Sequence, residues 1–117
     1  MVNFDDTIVR RNNVCVVGSG RQTLLLAHGF GSNQTAWRQV VTALSNDFKL
    51  VLFDYVGSGA SDVSAFDMTR YATLDGYAQD LLDVCQALNL QDITLVGHSV
   101  SAMTGLLRRK SLRSPVP

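Results

Sequence analysis

Two short stretches carry residue types suited to acyl transfer. The first is Gly97-His98-Ser99-Val100-Ser101. It follows the apolar run at 93–96 and precedes Ala102-Met103, where a helix running on through Gly105-Leu106-Leu107 is expected. A serine at the tip of a sharp strand-to-helix turn is a nucleophile elbow. The turn exposes the Ser99 hydroxyl, and the Val100 N–H faces any oxyanion formed on it. Gly97, without a Cβ, lets the turn tighten. In the pattern G-x-S-x-G the last glycine is here Ser101, a residue still small enough for close helix packing. The plain alternative is a serine in an ordinary strand-to-helix loop, and five residues with one mismatch do not choose between the two.

The second stretch is His28-Gly29-Phe30-Gly31, directly after the apolar run Thr23-Leu-Leu-Leu-Ala27. In a parallel sheet this stretch and Ser99 emerge at the same carboxyl edge, where α/β sheets build their sites. The glycines let backbone approach a substrate. The Phe30 N–H is then a second oxyanion donor beside that of Val100. A nucleotide site is disfavoured. Gly29-Phe30-Gly31 gives two glycines of a dinucleotide fingerprint, but Gln34 stands where glycine or alanine is needed. Neither Gly18-Ser19-Gly20 nor Gly57-Ser58-Gly59 is followed by Lys-Ser/Thr, as a P-loop demands. Asp54 reads as the acceptor that orders the glycine-rich loop 55–62 rather than as a catalytic acid. His28 and His98 read as structural residues, not members of a triad.

The elements that must position these residues follow from periodicity. Residues 8–17 read as extended, ended by the Gly18-Ser19-Gly20 turn. The run at 23–27 is short and continuously apolar, and those at 48–53 and 93–96 are mostly so, as strands buried on both faces are. A helix is expected from Ser32 or Asn33, with Trp37, Val40, Val41 and Leu44 on one face. A longer helix is capped by Thr73 and reaches about Leu88, with Leu74, Tyr77, Ala78, Leu81, Leu82, Cys85 and Leu88 on its apolar face. Asp75 suits its dipole and Asn89 its left-handed stop. Residues 63–72 look irregular. Alternating strands and helices after residue 23 predict a mostly parallel sheet with the 23–27 strand between 48–53 and 93–96.

Composition limits the function classes. With 46% hydrophobic and 17% charged residues among 117, the chain is globular and not disordered. Residues 1–107 carry six basic residues against ten aspartates, a net of −4, and the basic residues Arg108, Arg109, Lys110 and Arg113 follow. Four charges without interleaved aromatics read as a solvated tail, so neither a nucleic-acid nor a membrane partner is expected. Cys15 and Cys85 make no disulfide framework and no zinc spacing, and Cys85 is expected to be a buried free thiol. No metal or cofactor is expected. Without a signal-peptide pattern or a membrane-length apolar run, a reducing cytoplasm is the expected setting.

Four stretches together resemble the α/β-hydrolase superfamily. They are Leu-Ala-His28-Gly-Phe-Gly-Ser, Phe53-Asp-Tyr-Val-Gly-Ser-Gly-Ala-Ser-Asp62, Tyr71 through Leu74-Asp-Gly-Tyr77-Ala-Gln-Asp, and Val96-Gly-His-Ser-Val-Ser-Ala-Met103. More narrowly they resemble the RsbQ-type bacterial stress-signalling hydrolases and the strigolactone and karrikin receptors of plants. The resemblance covers 7–107. It implies Ser99 as nucleophile, Phe30 and Val100 as oxyanion hole, and a small hydrophobic ester- or lactone-like ligand. In the bacterial members it also implies a PAS-domain phosphatase partner. The family's triad acid and histidine follow the nucleophile in chain order. The eighteen residues after Ser99 contain no Asp, Glu or His. The expectation is therefore an α/β fold that is the N-terminal half of an α/β-hydrolase: a partial domain over 1–107, truncated after the elbow, with a non-family tail at 108–117, and inactive by itself. The rival readings are a ligand-sensing protein with little turnover and a fragment without function.

Overall fold

The computed structural model describes residues 6–98 and Ser101. Ser99, Val100, the helix expected after them and the tail at 108–117 lie outside the described residues. Four strands form one sheet: β1 (Cys15–Val17), β2 (Thr23–Ala27), β3 (Lys49–Leu52) and β4 (Thr94–Gly97), in the order β1-β3-β2-β4. β2 pairs in parallel with both β3 and β4, and β1 lies antiparallel on β3. The 23–27 strand thus sits between the other two apolar runs, as expected.

The continuous apolar runs are explained by burial on both faces. Along β2, Leu24 and Leu26 face one side, where they meet Leu50 and Leu52 of β3. Trp37, Val40, Val41 and Leu44 cover this side. Leu25 and Ala27 face the other side with Val51, Phe53 and Tyr55, and there Leu81, Val84, Cys85 and Leu88 cover them. Each layer needs a helix, and the 3.6-residue spacing supplies two: α2 (Arg38–Leu44) and α3 (Leu74–Ala87).

The ends of α3 are those expected. Thr73 is extended and its hydroxyl accepts from the Asp75 N–H. Asn89 is left-handed, with φ of 54°. The segment before α2 differs. Asn33 caps it, but the first turn, Gln34–Trp37, is a 3₁₀ helix. Its geometry follows from tertiary bonds: the Gln34 N–H donates to Asp54 Oδ1 at 2.8 Å and Gln34 Nε2 donates to the Asn13 carbonyl at 2.8 Å. Asp54 thus satisfies one of the backbone N–H donors left free at a helix start, and the Asn13 carbonyl ties down the Gln34 side chain.

The expectation of extended chain over 8–17 holds only for its second half. Asp6–Arg11 is a helix, α1, before β1 begins at Cys15. Ile8 and Val9 pack against the α3-side core, and Asn13, at φ 46°, reverses the chain. Arg11 is bound to Asp80 at 3.1 Å and Asp83 at 3.2 Å, both on α3. Packing and pairing across the fold outweigh the strand preference of Ile8 and Val9.

Asp80 is the centre of this contact. Its side chain is fully buried, paired with Arg11 and Arg70, and it accepts from the Tyr71 hydroxyl at 2.5 Å. Burial, then the bond to Asp80, pushes the Tyr71 phenol up to about 12. The irregular stretch at 63–72 is therefore tied down. It contains a 3₁₀ turn at Val63–Ala65 and is fixed by Arg70 and Tyr71 against α3.

Cys85 is buried, and burial raises its thiol to about 12. Raising the folded-state value above the thiol's ordinary 9.0 means that the neutral thiol stabilises the fold fully below pH 9. That contribution is lost as pH climbs toward 12. Urea unfolding at stepped pH should show a fall over this window that is shallower in Cys85→Ala. Native labelling with a thiol reagent should modify exposed Cys15 and leave Cys85 intact. Equal labelling of both would contradict this burial.

β4 pairs on one side among the described residues, and its four residues include no charge or proline. Such an edge invites pairing with another chain. Leu95→Lys should lower self-association in sedimentation velocity, as gatekeeper charges do. An unchanged sedimentation profile would contradict the role of this edge.

Candidate active site

The site is built where β2 and β4 end together. Their register places Ala27 opposite Gly97, and the His98 N–H donates to the Ala27 carbonyl at 3.0 Å. The loop at 28–31 and the residue preceding Ser99 therefore leave the sheet side by side. Ser99 and Val100 are outside the described residues, so their roles as nucleophile and oxyanion donor rest on the sequence. Phe30 is described. Its ring is half exposed and meets Tyr77 edge-on at 4.9 Å and Tyr55 at 6.1 Å.

His28 sets the orientation of this loop. It is buried at the end of β2. Its Nδ1 lies 2.7 Å from the Gly29 carbonyl and its Nε2 lies 3.0 Å from the Tyr55 N–H. A carbonyl only accepts and a backbone N–H only donates, so Nδ1 carries the proton and Nε2 is the acceptor. Both nitrogens are occupied, which leaves His28 without a lone pair for general-base work. The Gly29 carbonyl also accepts from the Ser32 N–H at 3.2 Å. In a planar trans peptide the N–H points opposite the C=O. Holding the Gly29 carbonyl toward His28 and Ser32 therefore directs the Phe30 N–H the other way. Among the described residues this N–H makes no hydrogen bond. Gly31 follows at φ +79° with open space around it, a conformation that a Cβ would strain.

Ser101 does more than replace a glycine. It is fully buried; its hydroxyl donates to the His28 carbonyl and lies 2.7 Å from the Tyr55 hydroxyl. Since Ser101 gives its proton to the carbonyl, Tyr55 donates to Ser101. The residue two places after Ser99 is thereby bonded to the same loop that carries Phe30. The Ser101 N–H also donates to the His98 carbonyl at 3.1 Å.

Asp54 behaves as expected of an ordering acceptor. It is buried. Oδ1 takes the Gln34 N–H at 2.8 Å, and Oδ2 takes the Ala60 N–H at 3.0 Å and Asn13 Nδ2 at 2.9 Å. One carboxylate thus joins the start of the α2 segment, the glycine-rich loop and the chain before β1. A Cβ on Gly59 would lie 2.5 Å from Asp54 Oδ2 with φ at +53°, so only glycine lets the loop wrap this closely. His98 is exposed at the end of β4 and lines a small pocket with His28 and Trp37.

Sequence reasoning missed Asn12, Asn13, Tyr55 and the Arg11–Asp80–Arg70 group. Asp80 left a signal. It sits three residues after Tyr77 and four before Val84, inside the apolar stripe of α3, where an unpaired carboxylate would be costly. Among the described residues no cluster of His, Cys, Asp or Glu is placed to hold a metal ion, and no helix is long and apolar enough to cross a membrane.

Comparison with known proteins agrees with this architecture. A family model described as alpha/beta hydrolase fold matches residues 22–107. The chain is 44% identical over 108 residues to a strigolactone esterase, D14, of Arabidopsis thaliana, covering 92% of this chain and 40% of that protein. It is 45% identical over 96 residues to karrikin insensitive 2 receptor CA of Petunia hybrida, covering 82% of this chain and 36% of that one. A solved hydrolase from Oleispira antarctica superposes with a TM-score of 0.89 at 39% identity, covering 99% of this chain and 44% of that structure. The chain thus spans about two fifths of the length of these relatives. The shared sheet, the matched region and these identities show that the chain belongs to the α/β-hydrolase family.

Proposed function

We propose that this chain supplies the nucleophile and the oxyanion donors of a serine hydrolase acting on a small hydrophobic ester or lactone. Ser99 attacks the carbonyl, and the Phe30 and Val100 N–H groups hold the oxyanion. The observation that carries this reading is the parallel β2–β4 pair, with Ala27 opposite Gly97, which delivers the Phe30 loop and the residue before Ser99 to one edge. The ligand class rests on relatives named as strigolactone esterase and karrikin receptor. An RsbQ-like role in stress signalling, with a PAS-domain phosphatase as partner in the cytoplasm, is part of the same proposal. A reducing setting suits two free cysteines.

The base and its orienting acid come from outside these 117 residues in this scheme. The chain has two histidines. Both nitrogens of His28 are committed, and His98 is exposed at the end of β4. A second reading is ligand sensing with little turnover. It is favoured by the receptor names among the relatives.

Two outcomes are expected. The 117-residue chain should show no Ser99-dependent turnover of activated aryl esters, because loss of the base lowers the rate by roughly 10⁴–10⁶. Turnover abolished by Ser99→Ala would overturn this division of roles. Added imidazole should accelerate acylation of Ser99 by an aryl ester, read by mass spectrometry against Ser99→Ala as blank. An absence of adduct on Ser99 at every imidazole concentration would overturn its assignment as nucleophile.

A further inference from the structure

Tyr55 reaches the loop at 28–31 by three routes. It lies just past the end of β3 and is fully buried. Its N–H donates to His28 Nε2 at 3.0 Å, and its hydroxyl donates to Ser101 Oγ at 2.7 Å. Its ring meets that of Phe30 edge-on at 6.1 Å. The first two routes end on successive carbonyls. By way of the imidazole, Nδ1–H holds the Gly29 carbonyl. By way of Ser101, which passes its own proton on, the His28 carbonyl is held.

A peptide unit is planar, so a fixed C=O also fixes the N–H of the next residue. The Ser101 route sets the plane between His28 and Gly29. The imidazole route sets the plane between Gly29 and Phe30, which carries the Phe30 N–H. Only the two dihedrals of Gly29 separate these planes, and a residue without a Cβ restrains them least. One route alone would let the other plane swing about Gly29. Two routes from one buried residue prevent it. The Tyr55 ring has no room to relax either bond, because it also packs edge-on against His28 at 5.0 Å, Phe53 at 5.0 Å and Tyr77 at 5.8 Å. A serine hydroxyl is a rotor, and the proton from Tyr55 selects the setting that delivers the Ser101 proton to the His28 carbonyl.

We infer that Tyr55 is a positioning residue for the oxyanion donor. Its hydroxyl acts through Ser101 and its N–H acts through His28; together they lock Gly29 and aim the Phe30 N–H. This inference rests on the proposed reading of Phe30 as an oxyanion donor and adds to it the residue that holds that donor in line. Ser101 is then part of the same device, and its hydroxyl has a use that a glycine at this place would not supply.

The test uses the whole 117-residue chain labelled with ¹⁵N. Tyr55→Phe removes the hydroxyl but keeps the backbone N–H and an aromatic ring beside Phe30. The Phe30 amide cross-peak should move in this variant. Imidazole-assisted acylation of Ser99 is then compared for p-nitrophenyl acetate and its thiono analogue, whose sulfur is a weak hydrogen-bond acceptor. The ratio of the ester rate to the thionoester rate should fall about tenfold in Tyr55→Phe and in Ser101→Ala, a part of the roughly 10²–10³ lost when an oxyanion donor is removed outright. If Tyr55→Phe fails to fold, Ser101→Ala decides by the same readouts. Equal slowing of both esters means a structural role alone and overturns the inference. So does a folded variant with an unchanged ratio or an unmoved Phe30 cross-peak. If the wild-type chain forms no adduct on Ser99 at any imidazole concentration, the nucleophile assignment fails by itself. The Phe30 cross-peak then decides whether Tyr55 orients the loop: movement upholds it, and no movement overturns it.

Discussion

β2 is constrained on four sides, and the rest of the structure follows from that. Both of its faces are covered, by the α2 segment and by α3, and both of its edges are paired, by β3 and β4. A five-residue strand with no free side must be apolar throughout, as Thr23-Leu-Leu-Leu-Ala27 nearly is. It also has no freedom of register. A shift by one residue would turn Leu24 and Leu26 toward α3 and break both parallel ladders. Its end is therefore a fixed point, and the loop carrying Phe30 is attached there.

Fixing a strand does not orient a loop. That is done by a few buried polar groups, each joining segments distant in sequence. His28 joins the Gly29 carbonyl to Tyr55. Ser101 joins the end of β4 to the end of β2 and to Tyr55. Asp54 joins three loops through two oxygens. Low local polarity strengthens such bonds and makes an unmade one costly, so the group holds one geometry. An oxyanion donor depends on this, because its value lies in being aligned before charge develops.

The Asp80 group serves a different end. Asp80 is fully buried under Arg11 and Arg70 and accepts from Tyr71. Pairs of this kind gain little over a well-packed apolar replacement, but removing one partner costs about 3–5 kcal/mol. Their effect here is positional. They hold α1 and the stretch before α3 against α3, beneath the aromatic contacts of Tyr71, Tyr77 and Phe30.

The sequence by itself determined what depends on near neighbours. The three apolar runs, the apolar stripe of α3 with Cys85 inside it, the Thr73 cap and the Asn89 stop all have short-range physical causes. Asp54 was legible as an ordering acceptor because it stands between a buried strand and a glycine-rich loop. The reading of Ser99 and Val100 as elbow residues rests on sequence pattern alone. Tertiary structure decided whatever depends on residues far apart in the chain. Ile8 and Val9 lie in a helix whose side chains pack on the α3-side core and whose Arg11 reaches Asp83, 72 positions away. The proton of His28 sits on Nδ1 because Tyr55, 27 residues on, presents an N–H to the other nitrogen. Ser101 bonds the His28 carbonyl 73 positions before it, and no local pattern records that bond. Periodicity specifies which face of an element is apolar. Which polar groups meet inside is set only when the faces close on one another.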